Sequence, residues 1–114
     1  MNFLANINPW LILSVSIVFE VIGTLLFKYS SQNNHTISGI ISVIMYILTF
    51  SLMWEVSKKL EVSITYAVWS GVGILLITIF GWLVFNENMS IIKFISILLI
   101  IAGVIGLNLN GTNH

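Results

Sequence analysis

At 114 residues, with 58% hydrophobic and only 7% charged side chains, the chain falls far below the quarter of charged residues usual in a soluble domain. It has no Asp, Arg or Cys, and its four Glu balance four Lys. That excludes a disulfide framework, a thiolate metal centre, a cysteine nucleophile and a basic stripe for nucleic acid, and points to an integral membrane protein.

Four apolar segments follow in chain order, at about residues 10–28, 37–54, 62–85 and 91–109. Each approaches the roughly 20 residues a helix needs to cross about 30 Å of hydrocarbon. Backbone groups in lipid must pair within their own segment, so the spans are predicted as helices. The expected fold is all-α, with four transmembrane helices in one domain over residues 1–114. The connections are too short to hold a soluble domain, so function must lie in the membrane. Trp10, Trp54 and Trp82 fall near segment ends, as an interfacial belt would place them. Trp69 does not.

The first span carries Glu20, about 15 Å along a helix from Trp10 and so near the bilayer midplane. A charge there costs roughly 2.5–3.5 kcal/mol on insertion scales, and such residues face a cavity or a partner by default. Structural glue, a protonated Glu bonded to a neighbouring helix, is the plainer reading. On a 3.6-residue period Leu13, Ser16, Ile17, Gly23, Thr24 and Phe27 share its face. Small Ser16, Gly23 and Thr24 admit a ligand or, equally, another helix. The second span holds Tyr46 and Phe50, four apart, which could form an aromatic wall.

In the third span, "TYAVWSGVG" puts Tyr66 and Trp69 on one face with Ser70 and Gly73 adjoining. Such rings can hold an organic cation by cation–π attraction, or can simply fill a core. Gly71 and Gly73 loosen the helix and mark a candidate hinge. In the fourth, Ser96, Gly103 and Asn110 repeat every seven residues with Gly106 near the same stripe. That spacing suits tight helix pairing in lipid and suggests dimerisation. Glu55, Glu61 and Glu87 read as solvated loop charges. With four spans, Lys58 and Lys59 lie on one side of the membrane and Lys28 and Lys93 on the other. This balance gives almost no orientation preference and permits insertion both ways.

The four spans with "FEVIGTLLFKYS" and "TYAVWSGVGILL" resemble the small multidrug resistance family of bacterial inner-membrane transporters, from Pro9 to about Leu109. The resemblance implies a proton-coupled antiporter, not an enzyme, working as an antiparallel, dual-topology dimer. Its essential glutamate falls on Glu20, its binding-site aromatics on Tyr66 and Trp69, a second-helix pocket tyrosine on Tyr46, and an N-terminal aromatic on Trp10. Where the family's fourth-helix pattern begins with Gly, this chain has Ser96, with Gly103 retained. "EVIGT" lacks the tryptophan of guanidinium exporters and resembles the multidrug branch, whose substrates are lipophilic or quaternary-ammonium cations. "LEVSITYAVW" is also similar to paired members that export polyamines as heterodimers with a sister subunit.

The expected mechanism is competition of protons and cation for Glu20. No glycine-rich phosphate loop occurs, so no nucleotide or other cofactor is expected and the proton gradient supplies the energy. Two rivals are a proton-carrying proteolipid, which has no use for Trp69, and a structural membrane subunit.

Overall fold

A computed structural model describes residues 6–110, with Asn110 described by its backbone only. Four helices follow in order: α1, Pro9–Asn33; α2, Thr36–Val56; α3, Val62–Phe85; and α4, Ile91–Asn110. There is no strand among the described residues, and all four helices are long and apolar enough to cross a membrane. The chain divides between Lys59 and Leu60 into two compact units, α1 with α2 and α3 with α4.

In the first unit, Asn8 caps α1 by accepting the Trp10 amide at 2.9 Å, with Pro9 at the first helical position where its missing N–H is harmless. The helix runs on past the apolar stretch through Ser30–Asn33, because nothing breaks it before Asn34. There the backbone turns left-handed (φ 51°, ψ 41°), which Asn tolerates better than most residues. The His35 amide bonds the Ser30 carbonyl at 3.1 Å, and the His35 ring caps α2 through the Ser38 amide at 3.2 Å. This two-residue turn folds α2 back along α1.

The seam between them is built from small residues at heptad spacing: Ser16 and Gly23 on α1, Ser42 and Thr49 on α2. Ser42 donates to the Gly23 carbonyl at 2.7 Å. Thr49 donates to the Met45 carbonyl at 2.9 Å and reaches the Ser16 carbonyl at 3.4 Å. Lipid tails are as apolar as leucine, so close van der Waals packing and such bonds, more than burial, hold helices together. Ile12, Leu13, Ile17 and Val21 are buried with them.

Glu55 departs from the reading as a solvated loop charge. Because α2 continues through Val56, Glu55 is helical and only 7% exposed. The Lys58 ammonium, three residues on, neutralises it at 3.3 Å and stands 6.0 Å over the Trp54 ring. A carboxylate at a helix C-terminus opposes the macrodipole, and this cation offsets it.

In the second unit, α3 ends at Asn86, again left-handed (φ 55°, ψ 33°), and the Asn86 and Glu87 amides converge on the Gly81 carbonyl. The Glu87 carboxylate lies against Gly81, in space that any side chain there would occupy. Ser90 caps α4 by accepting the Lys93 amide at 3.1 Å. Val104 and Ile100 of α4 pack onto Gly71 of α3. Ile97 is the buried hydrophobic residue of α4, most of whose surface is exposed.

Candidate functional site

Glu20 is half-buried in the middle of α1. Among the described residues its polar partner is a hydroxyl on its own helix: Thr24 Oγ1 donates to Glu20 Oε1 at 2.9 Å. The spacing of four residues places one side chain above the other on the same helical face. Thr24 Oγ1 also bonds the Tyr46 hydroxyl of α2 at 2.7 Å. Carboxylate, threonine and tyrosine thus form a continuous chain across the helix pair.

Gly23 makes that reach possible. A Cβ on Gly23 would stand 3.1 Å from Met45 Cβ, 3.3 Å from the Ser42 carbonyl oxygen and 3.4 Å from the Tyr46 ring. Without one, α2 lies close enough for Tyr46 to touch Thr24. The sequence marks Gly23 and Thr24 as small residues beside Glu20. Their separate uses, close backbone approach and hydrogen bonding, come from the packing.

The remaining first-unit candidates occupy other places. Ser16 is fully buried, donating to the Leu13 carbonyl at 2.7 Å and meeting Met53 Sδ at 3.4 Å. Trp10 sits in the first turn of α1, ten residues from Glu20. Phe27, on the predicted Glu20 face, is 59% exposed. Phe50 is also exposed and lines a shallow open groove of about 590 Å³ with Ile47, Ser51 and Trp54 on α2. Tyr46 instead turns its hydroxyl to α1.

In the second unit the Tyr66 and Trp69 rings lie 5.5 Å apart, tilted by 31°, within the range of favourable aromatic pairs. Tyr66 is exposed and Trp69 half-buried. Helix α3 runs unbroken through Gly71 and Gly73, both buried. On α4, Ser96 and Gly103 are exposed, and among the described residues an added Cβ at Gly103 or Gly106 would meet nothing within 4 Å. The Asn110 side chain, the last member of the predicted stripe, lies outside the described residues. No cluster of His, Cys, Asp and Glu that could hold a metal occurs among the described residues.

Comparison with known proteins matches residues 8–100 to the family model described as Small Multidrug Resistance protein. The chain is 45% identical over 100 residues to the uncharacterized membrane protein YvaE of Bacillus subtilis (strain 168), covering 88% of this chain and 84% of that one. It is 40% identical over 106 residues to the quaternary ammonium compound-resistance protein QacH of Staphylococcus saprophyticus. To QacC of Staphylococcus aureus, a resistance protein of the same description, it is 35% identical. Each of these two alignments covers 93% of this chain and 99% of the relative.

Proposed function

The chain belongs to the small multidrug resistance family of bacterial inner-membrane transporters, and from that premise we propose that it exports quaternary-ammonium and other small hydrophobic cations in exchange for protons. The observation that carries the exchange mechanism is Glu20: a carboxyl in the middle of an apolar span whose polar partner is a hydroxyl. A hydroxyl can accompany either the charged or the neutral form, whereas a fixed ammonium would hold the charge in place. A proton and an organic cation then take turns at one oxygen pair, and that competition couples their opposite movements.

Tyr66 and Trp69 are assigned the aromatic face that receives the cation. Cation–π attraction is worth about 0.5–2 kcal/mol per contact and depends little on the shape of the cation, which suits a broad substrate range. The small-residue stripe at Ser96, Gly103 and Gly106, with room for a Cβ at both glycines among the described residues, is assigned to dimer packing with a second copy of the chain.

Binding of tetraphenylphosphonium to the detergent-solubilised protein tests the reading. Lowering the pH protonates Glu20 and removes the charge that attracts the cation, so affinity should fall toward acid and recover toward alkali. Glu20→Gln should bind weakly at every pH. Binding that ignores both pH and this substitution would overturn the proposal.

A further inference from the structure

We propose that Thr24 carries the protonation state of Glu20 across to Tyr46 on the neighbouring helix, by reversing a two-bond chain of hydroxyls. The inference deepens the antiport reading, on which it rests for Glu20 as the group that gains and loses a proton. Its basis is the pair of bonds at Thr24 Oγ1, 2.9 Å to Glu20 Oε1 and 2.7 Å to the Tyr46 hydroxyl.

A threonine hydroxyl has one proton to give, so it can donate to only one of these neighbours and must accept from the other. An ionised carboxylate is acceptor-only. While Glu20 is charged, the order is therefore forced: Tyr46 donates to Thr24, and Thr24 donates to Glu20. A proton arriving on Oε1 turns that oxygen into a donor. Thr24 then accepts from Glu20 and turns its own O–H toward the Tyr46 oxygen, and the Tyr46 O–H rotates away from Thr24. Each hydroxyl keeps its proton; only the direction of donation changes.

The surroundings make Tyr46 a faithful end to this chain. Its ring edge packs at Gly23, 3.4 Å from where a Cβ would stand, so the change falls on the hydroxyl rather than on the ring position. On α2, the element packed against α1, the other ionisable group is Glu55, nine residues beyond Tyr46 and about 13 Å along the helix, with His35 and Lys58 farther off, just outside its two ends. On α1 the others are Lys28 and Tyr29, two turns or more past Glu20. Helix α2 can thereby register whether the carboxyl holds a proton.

The ζ-carbon resonance of ¹³C-labelled tyrosine, followed from acid to alkaline pH in micelles, reads donor and acceptor states directly. Tyr46 is assigned among Tyr29, Tyr46 and Tyr66 by Tyr46→Phe. In the wild type the Tyr46 signal should step at the pH where tetraphenylphosphonium is half displaced. The step should vanish in Glu20→Gln and in Thr24→Val, which keeps the shape but loses the hydroxyl, and should survive in Thr24→Ser. A flat wild-type signal, or a step that persists in Thr24→Val or Glu20→Gln, overturns the relay. Should Thr24→Val not fold, Glu20→Gln decides with every hydroxyl in place. Cation binding that competes with protons beside a flat Tyr46 signal sinks the relay alone. A Glu20-dependent step without cation binding sinks the antiport reading alone and leaves the relay standing.

Discussion

At the scale of single residues, the chemistry turns on what each polar atom is given for company. Glu55 is buried beside an ammonium at 3.3 Å, whereas Glu20 is given a hydroxyl. The first arrangement suits a permanent charge; the second suits the exchange proposed for Glu20. Removing one ring of the Tyr66–Trp69 pair should weaken cation binding while leaving its pH dependence intact, since the exchanged proton is assigned to the Glu20 carboxyl and not to either ring. Trp69→Leu is expected to lower tetraphenylphosphonium affinity about 2- to 30-fold, the equivalent of roughly 0.5–2 kcal/mol. Isothermal titration at two pH values measures both quantities; a Trp69→Leu protein of undiminished affinity would leave the ring without the assigned role.

At the scale of helices, glycine serves two opposite purposes, and the distances separate them. Gly23 and Gly71 are filled positions: a Cβ would stand 3.1 Å from Met45 Cβ in the first case and 2.7 Å from Val104 Cγ2 in the second. Overpacking of this kind costs about 1–3 kcal/mol. Gly23→Ala should therefore lower the melting temperature in detergent, and part of the cost falls on the backbone, since the Ser42 carbonyl oxygen is only 3.3 Å away. Gly71→Ala should be destabilising too, but Val104→Ala should rescue it, because there the obstacle is a side-chain methyl. A double-mutant cycle that shows no coupling between 71 and 104 would dismiss that contact.

At the scale of the whole molecule, the proposed assembly of copies is assigned to the small-residue stripe of α4 and to the balance of lysines. An added Cβ at Gly103 would meet nothing within 4 Å among the described residues beyond its own helix turn, so Gly103→Leu should leave the single chain folded. It should weaken self-association about tenfold or more, roughly 1.4 kcal/mol, as read by light scattering in detergent; unchanged association would free α4 from that role. The proposed dual orientation rests on a count of two lysines against two, Lys58 and Lys59 against Lys28 and Lys93, as four alternating spans would distribute them. Combining Ser57→Lys with Lys28→Gln makes this three against one. A C-terminal reporter, expected on both sides of the membrane for the natural chain, should then collect on the cytoplasmic side.

Much of this was legible in the linear chain because a bilayer is a severe solvent. It demands about 20 apolar residues per crossing and internal pairing of every backbone group. The four spans and their ends therefore stand out, and a lone carboxylate such as Glu20 stands out against them. What the chain alone could not show is which side of each helix meets another. In a soluble helix the polar face marks the outside, but here lipid lies outside and every face is apolar. Small residues read alike whether they pack within a chain, as Gly23 and Ser42 do, or leave room that no described residue fills, as at Gly103. Only tertiary contact decided that Gly23 brings Tyr46 against α1, that Thr24 joins Tyr46 to Glu20, and that Glu55 lies buried beside Lys58. Composition marks where a chain enters hydrocarbon, but the pairing of hydroxyls and carboxyls depends on ångström-scale approach, which only packed helices define.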